Sequence, residues 1–385
     1  MQEPAPSHAL DCNPLQSRPA ATGVWRPTAF GEEGGRIRAI TAADVVPLVP
    51  GLDLWDCWPL AHEDGRTATV AGRQYWFFLS APQFPDPVQR HGHARVRLLS
   101  RGAEGWRDHG NALPDGLTPG SREWAGSAVL HEDGRTVTLF YTVAGRPDET
   151  ALTFEQRLFA VVGELGAEGP AAWGRPAELF AADGTRYALA NDAVERGPGT
   201  LKAFRDPFFF RDPVTAEAHL VFTASAGWTA DSHNGMVGLA TLTPAGWVLE
   251  DPLVEAVGVN NELERAQAHY RAGRYYLFWS TQTHTFAPAA PQGPNGLYGM
   301  VAESLRGPWR PLNGSGLVAA NPAGEAAQSY SWIVTGEDEV WSFVDYWGMA
   351  GRKPADHPHL VRSHFGGTAA PVFRLVFDDD RVTLA

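Results

Sequence analysis

The chain has 385 residues, a net charge of −13 and a hydrophobic fraction of 44%, so it can bury a sizeable core. Only Lys202 and Lys353 among its 31 basic residues are lysines, and no basic cluster occurs, so we expect no nucleic-acid partner. No apolar run approaches 18 residues, which excludes an evident membrane-spanning helix.

Residues 1–23 are rich in Pro, Ala and Ser, which predicts a loosely ordered N-terminal extension. They lack a charged start followed by an apolar core, so no signal peptide is visible. The only two cysteines, Cys12 and Cys57, exclude a disulfide framework, and we expect no bridge between them. Residues 24–385 contain no convincing linker and are predicted to form one domain.

Five hairpin-like units follow one another along residues 24–385. The hexapeptide HEDGRT occurs twice, at 62–67 and 131–136, each time between an apolar run and a β-rich run. The same pattern recurs three more times, and the units are marked by Asp56, Ala125, Asp206, Glu264 and Ser331. A spacing of roughly 70 residues suits four short strands with their loops. The predicted fold is therefore an all-β, five-bladed β-propeller with a central funnel-like pocket.

Three of the five marks are acids, namely Asp56, Asp206 and Glu264. Acids are depleted from apolar strands unless they are paired or functional. The innermost strands of a propeller line its central channel, so these carboxylates should converge there beside tryptophans. Glycoside cleavage needs two carboxyl groups across the scissile bond, and their separation distinguishes retention from inversion. Spacing along the chain leaves that choice open.

Several segments resemble the levansucrases and β-fructofuranosidases of glycoside hydrolase family 68. They are LDLWDCWPL, EWAGSAVL, AFRDPFFF, GVNNELERAQAHY and GPWRPLNGSGLV, and the similarity extends from about residue 25 to the C-terminus. The resemblance implies a five-bladed propeller with a deep pocket, sucrose as the substrate, water or small sugars as acceptors, and no cofactor or metal.

The resemblance also implies roles for individual residues. Asp56 would be the nucleophile, Glu264 the acid/base, and Asp206 the stabiliser of the transition state. The residues implied in substrate binding are Trp55, Trp124, Ala125, Arg205, Glu262, Gln282, His284 and Tyr330. Structural interpretations compete with some of these roles.

The competing interpretations concern five side chains. Arg205 could simply neutralise Asp206, and Arg265 could do the same for Glu264. Tyr330 could be a core tyrosine and His284 a loop histidine. Cys57 is interpreted as a small buried filler.

Four positions depart from the pattern of the resembled family. Ala125 stands where a serine is common, Thr223 where a glutamate is common, and Gln282 where arginine or histidine is usual. Asn261 replaces an aspartate used in a calcium site, so we expect no structural calcium. We expect these changes to cluster on the donor-glucose and acceptor side, away from the central acids. They favour hydrolysis and short fructooligosaccharides over long levan.

Two rival functions stay open at this point. One is an inverting glycosidase of the arabinan or xylan type, and the other is a non-catalytic sugar-binding propeller. The compartment is also open, because enzymes acting on sucrose are commonly exported, whereas this sequence shows no export signal. An extracellular origin is expected, with a cytoplasmic location as the alternative.

Overall fold

The computed structural model describes residues 22–31, 34–190 and 200–385, so residues 1–21 of the extension predicted at 1–23, including Cys12, lie outside these ranges. Regular structure is almost entirely β. The only helices within these ranges are short: one α-helix at Val361–His364 and five 3₁₀ helices, at Ala42–Asp44, Pro87–His93, Thr283–Thr285, Ala323–Glu325 and Pro354–Asp356.

The strands fall into five consecutive groups, preceded by β1 (Gly23–Val24). The first group is β2 (Leu52–His62), β3 (Thr69–Val70), β4 (Arg73–Pro82), β5 (Arg95–Gly102) and β6 (Gly105–Asn111). The second is β7 (Arg122–Leu130), β8 (Thr136–Ala144), β9 (Gln156–Gly166), β10 (Gly169–Ala171) and β11 (Ala177–Glu178). The third is β12 (Phe204–Arg211), β13 (Ala218–Ser225), β14 (Gly235–Thr243), β15 (Gly246–Leu249) and β16 (Val254–Glu255).

The fourth group is β17 (Glu264–Arg271), β18 (Arg274–Thr281), β19 (Gly296–Ala302), β20 (Arg310–Pro311) and β21 (Leu317–Ala320). The fifth is β22 (Ser329–Val334), β23 (Glu339–Tyr346), β24 (Phe365–Ala369), β25 (Phe373–Asp378) and β26 (Arg381–Leu384). Pairing within each group is antiparallel. The end of β2 also pairs in parallel with β7, from Leu60 opposite Ala128 onward, which joins the first two groups into one sheet.

The first strands of the five groups form a closed ring. Each contacts the first strand of the next group, and β22 contacts β2. Side chains bridge two of these junctions. Ser127 Oγ donates to the Pro207 carbonyl (2.9 Å) and accepts from the Phe209 amide (3.0 Å). The side-chain amide of Gln267 on β17 accepts from the Val334 amide (2.7 Å) and donates to the Trp332 carbonyl (2.8 Å), both on β22.

The largest apolar cluster joins the first, second, fourth and fifth groups and includes the buried indoles of Trp58, Trp76 and Trp332. Cys57 lies in this cluster as a buried free thiol. Burial raises the pKa of this thiol to about 12, so it stays protonated and acts as a small apolar side chain. The interpretation of Cys57 as a filler agrees with these contacts.

Polar contacts close the ring between the first and fifth groups. Glu337, in the turn before β23, accepts from the amide and the hydroxyl of Thr67, both at 2.9 Å. The Gly336 amide donates to the Gly65 carbonyl (3.1 Å). The turn of the first HEDGRT copy therefore contacts the last strand group.

Candidate active site

All five first strands carry a break in register against the second strand of their group. The breaks lie between Trp55 and Trp58, Trp124 and Gly126, Arg205 and Phe208, Glu264 and Gln267, and Tyr330 and Ile333. A bulge inserts an unpaired residue, bends the strand and redirects its side chains. The chain therefore changes direction at the same level in every group.

Four bulges place a non-glycine residue in the left-handed region. These are Asp56 (φ 43°), Asp206 (φ 59°), Arg265 (φ 53°) and Ser331 (φ 60°). Such a backbone costs about 1–3 kcal/mol per residue and persists only where its surroundings enforce it. In a regular strand neighbouring side chains face opposite sides, whereas here two consecutive side chains face the centre.

The bulges produce two rings of five residues. The first ring consists of the residues that directly precede the bulges, namely Trp55, Trp124, Arg205, Glu264 and Tyr330. The second ring consists of the residues that follow them in sequence, namely Asp56, Ala125, Asp206, Arg265 and Ser331. All ten line one central pocket with a cavity volume of about 180 Å³. The sequence units were aligned correctly except in the fourth, where the equivalent of Asp56 is Arg265. Glu264 belongs to the other ring.

The pocket contains every residue that the sequence assigned to the site. These are Asp56, Asp206, Glu264, Trp55, Trp124, Ala125, Arg205, Glu262, Gln282, His284 and Tyr330. Glu262 lies in the segment before β17, and Gln282 and His284 lie just after β18. His284 is exposed and belongs to the 3₁₀ helix at Thr283–Thr285, so it is a loop histidine that also lines the pocket.

Sequence reasoning missed part of the lining. The additional lining residues are Leu79, Arg90, His91, Phe154, Leu201, Phe343 and Asp345. Arg90 and His91 come from the 3₁₀ helix at Pro87–His93, whose polar sequence gave no motif. Asp345 ends the apolar run of β23, and an acid at the end of an apolar strand was the signal that could have found it.

Arg205 holds the carboxylates together. Its guanidinium lies 3.4 Å from Asp206, 3.2 Å from Glu262, and closer still to Glu264. Burial alone would lower the pKa of Arg205, but the three acids outweigh burial and raise it well above its usual value. The interpretation of Arg205 as a partner of Asp206 alone is therefore too narrow.

Glu264 has a second partner in Tyr330, whose hydroxyl donates to its other carboxylate oxygen. Burial raises the pKa of Glu264, but the charge of Arg205 and the hydrogen bonds from Tyr330 and Arg205 outweigh it and lower that pKa. Tyr330 is buried and also lines the pocket. It is thus more than a core tyrosine.

Arg265 does not neutralise Glu264, because no ion pair joins them, so that interpretation is wrong. Its guanidinium instead donates to Ser331 Oγ (3.0 Å) and to the Cys57 carbonyl (2.9 Å). The left-handed backbone at Arg265 turns the side chain toward β2 and β22. Its charge lowers the pKa of Asp56, although burial is the larger effect.

Asp56 lies at the bulge of β2, between Trp55 and the buried Cys57. Burial is the main cause that raises the pKa of its carboxyl, opposed by Arg265 and by a hydrogen bond from Ser331. The Trp55 indole meets the His91 ring edge-on, with ring centroids 6.1 Å apart. The carboxylate therefore sits at the base of an aromatic-walled pocket.

Asp206 is fixed by two threonines. Thr223 Oγ1 donates to Asp206 Oδ2 (3.0 Å), and the Asp206 amide donates to Thr142 Oγ1 (2.8 Å). Burial is the main cause that raises the pKa of Asp206 to about 6, with Arg205 opposing it. Thr223 thus contacts a central acid, so the prediction that this departure lies away from the central acids is wrong.

Arg90 and Asp345 carry polar atoms without partners. The atoms Arg90 Nε and Asp345 Oδ1 are both buried, and neither has a hydrogen-bond partner. Burial raises the pKa of Asp345 to about 7 against the attraction of Arg90. Both residues line the pocket, while these two atoms themselves are buried in its wall.

The donor set does not suggest a metal. Within residues 22–31, 34–190 and 200–385 no group of three or more His, Cys, Asp or Glu side chains could hold a metal ion. The expected absence of calcium and of a cofactor remains a prediction. No helix in these ranges is long and apolar enough to cross a bilayer.

Comparisons with known proteins identify the family. The model of a family described as Levansucrase/Invertase matches residues 36–245 and 229–385. A levansucrase of Pseudomonas syringae pv. actinidiae is 31% identical over an alignment covering 89% of this chain and 85% of that protein. A levansucrase of Erwinia amylovora is also 31% identical, with 85% of each chain covered.

The fold matches that of a solved inulosucrase from Halalkalicoccus jeotgali bound to kestose. The TM-score is 0.84 at 37% identity, over 96% of this chain and 95% of that one. The resemblance to glycoside hydrolase family 68 inferred from the sequence is confirmed. The chain therefore belongs to the levansucrase/invertase family of glycoside hydrolases.

Proposed function

We propose that the protein cleaves sucrose with retention and transfers the fructosyl unit to water or to small sugars. The observation that carries this proposal is the pocket that Asp56, Asp206 and Glu264 all line, in which Arg205 bridges Asp206 and Glu264. The five strand groups with their ring of first strands support a five-bladed propeller. Residues 24–385 would form this single domain, and residues 1–23 an extension.

In the proposed reaction a carboxylate oxygen of Asp56 attacks the anomeric carbon of the fructosyl unit. The bond from this carbon to the glucosyl oxygen breaks, and that oxygen takes the proton of Glu264 as glucose leaves. Glu264 then removes a proton from water or a sugar hydroxyl, which attacks the same carbon and releases Asp56. Asp206 stabilises the positive charge that develops on the ring.

The pKa shifts of Asp56 and Glu264 run in the directions opposite to those that the first step needs. The pKa of Asp56 is raised mainly by burial, whereas Arg205 and Tyr330 lower the pKa of Glu264 against the effect of burial. A nucleophile must be ionised and a general acid protonated. We propose that sucrose displaces the Tyr330 hydroxyl from Glu264 and donates hydroxyls to Asp56. A proton would then pass to Glu264.

Tyr330→Phe tests this redistribution. Removing the donor destabilises ionised Glu264, so its pKa rises and the alkaline limb of kcat/KM against pH should move up by about one pH unit. Initial rates on sucrose across pH would measure the shift. Tyr276→Phe removes a hydroxyl that donates to the Asp379 carbonyl, outside the pocket, and should leave the limb in place. An alkaline limb that stays put in Tyr330→Phe would contradict the proposal.

Asp345→Asn tests whether Asp345, which lines the pocket with Arg90, binds a hydroxyl group of sucrose. If Asp345 accepts a hydroxyl of sucrose, the variant should raise KM by about tenfold or more, because a hydrogen bond to a charged group is worth about 1.5–3 kcal/mol. Steady-state kinetics on sucrose measure this change. Stability should not fall above pH 7, because burial disfavours the ionised wild-type carboxyl and Asn removes that cost. Unchanged KM together with a lower melting temperature would indicate a structural role.

The acceptor side supports short products. Ala125 offers no side-chain hydrogen bond, and Gln282 and the exposed His284 are the polar groups that follow β18 at the pocket. We propose hydrolysis with transfer to small acceptors, giving short fructooligosaccharides. Abundant high-molecular-weight polymer from sucrose would contradict this product range.

Export from the cell remains a prediction, testable by comparing activity in medium and lysate.

The experiment that tests the function is an incubation with sucrose in which glucose and free fructose are quantified over time. Glucose in excess over fructose would indicate transfer to sugars, and equal amounts would indicate hydrolysis. No glucose from the folded protein would contradict the proposed substrate. NMR of the anomer that is released first shows whether the reaction retains or inverts the anomeric configuration. Inversion would favour an enzyme of the arabinan or xylan type.

A further inference from the structure

Hydroxyl side chains repeat at one position of the second strands. Thr142, Thr223 and Ser280 each lie opposite the residue that precedes a bulge, namely Trp124, Arg205 and Glu264. Each hydroxyl accepts from an amide at the bulge of the next group: Asp206, Arg265 and Trp332, at 2.8, 2.8 and 2.9 Å. In the first and fifth groups the same position holds Leu79 and Phe343, which line the pocket.

Thr223 differs from the other two because its hydroxyl also reaches a carboxylate. Its oxygen accepts from the Arg265 amide (2.8 Å) and its proton points to Asp206 Oδ2 (3.0 Å). Thr142 donates instead to the Ala125 carbonyl (3.0 Å). Thr223 is fully buried, so water cannot replace either contact.

The Arg265 amide donates to one lone pair of Thr223 Oγ1, and the hydroxyl of Thr223 donates to Asp206 Oδ2. An ionised carboxylate is a stronger acceptor for this hydroxyl than a protonated carboxyl is. A hydrogen bond made to the charged form of an acid favours that form.

We propose that Thr223 is a positioning residue that holds Asp206 as an ionised acceptor and links it to the strand carrying Glu264. The link runs from Asp206 on β12 through the hydroxyl on β13 to the backbone of Arg265 on β17. Glu264 directly precedes Arg265, so the stabilising acid and the acid/base share one support. This inference rests on the proposed function of Asp206.

The charges that act on Asp206 come from three strands. Arg205 on β12 and Arg265 on β17 favour its ionised form, whereas Glu264 on β17 and Asp56 on β2 oppose it. Burial is the largest effect, and it opposes ionisation as well. The Thr223 hydroxyl therefore acts with the two arginines.

Thr223→Val tests the proposal, because valine keeps the shape and removes the hydroxyl. The pKa of Asp206 should rise, and the acid limb of kcat/KM against pH should move up by about one pH unit, since activity requires ionised Asp206. Thr223→Ser should restore the wild-type limb. Thr142→Val is the matched control, because it also deprives a bulge amide of its acceptor but removes no donor from a carboxylate.

A titration of ¹³C-labelled aspartate carboxyls by NMR separates this inference from the proposed function. A wild-type protein that leaves sucrose intact would contradict the function, yet the Asp206 resonance, assigned with Asp206→Asn, would still titrate higher in Thr223→Val if the inference holds. Equal shifts in Thr223→Val and Thr142→Val, or no shift in either, would overturn the role of Thr223. Thermal melting checks that each variant is folded.

Discussion

Glu264→Gln should lower kcat on sucrose by a factor of about 10²–10⁴, the usual contribution of a general acid or base. Glutamine keeps the shape and can still accept from either Tyr330 or Arg205 through its one carbonyl oxygen, but it has no acidic proton to give to the departing glucose. Binding of sucrose should stay within about tenfold of wild type, as measured by calorimetry. Retained binding together with lost turnover distinguishes an enzyme from a sugar-binding propeller.

A donor whose leaving group needs no proton is the control for Glu264→Gln. Fructosyl fluoride should release its first equivalent of fluoride in this variant at a rate much closer to wild type than the release of glucose from sucrose, because only the later attack by water needs Glu264 as a base. If the first turnover slows equally with both donors, Glu264 does not act as the acid, and the loss reflects a distorted pocket. The ion pair with Arg205 makes this control necessary, because Arg205 also contacts Asp206 and Glu262.

Asp56→Asn should have the larger effect, a loss of kcat on the order of 10⁴–10⁶, because no covalent intermediate can form. Its melting temperature at neutral pH should equal or exceed that of wild type. Burial raises the pKa of Asp56, so the folded state opposes ionisation, and this cost increases with pH above the unfolded pKa and disappears in the amide. Rate assays and thermal scans measure the two effects.

Asp53→Asn is the matched control in the same strand. Asp53 is fully buried and forms a two-pronged ion pair with Arg362, at 2.7 and 3.0 Å, so its replacement should lower the melting temperature.

Acid-quenched digests of wild type should contain the peptide with Asp56 bearing one fructosyl unit. A comparable adduct in Asp56→Asn would show that another residue is the nucleophile.

The sequence predicted the strand groups and the central acids because both leave local marks. Repeated apolar runs, turn motifs such as HEDGRT and acids within apolar strands are visible without tertiary information. The resemblance added the aromatic and polar lining residues such as Trp124 and Glu262. All of them line the pocket.

The remaining features depend on three-dimensional geometry. The bulges shift the register by one residue, so the alignment of Glu264 with Asp56 failed where Arg265 takes the equivalent place. The Arg265 guanidinium also donates hydrogen bonds to Ser331 Oγ and to the Cys57 carbonyl, which lie 66 and 208 residues away in the sequence. Arg90 reaches the pocket from a 3₁₀ helix whose position no local pattern specifies.

The contact between Glu337 and Thr67 has a consequence for how the protein matures. Each strand group supplies two residues to one pocket, and the last group meets the first only when the chain is essentially complete. A chain that ends before residue 330 would lack Tyr330 and Ser331 and could not turn over substrate. Activity on sucrose would then report complete ring closure, which makes it an assay of refolding yield as well as of catalysis.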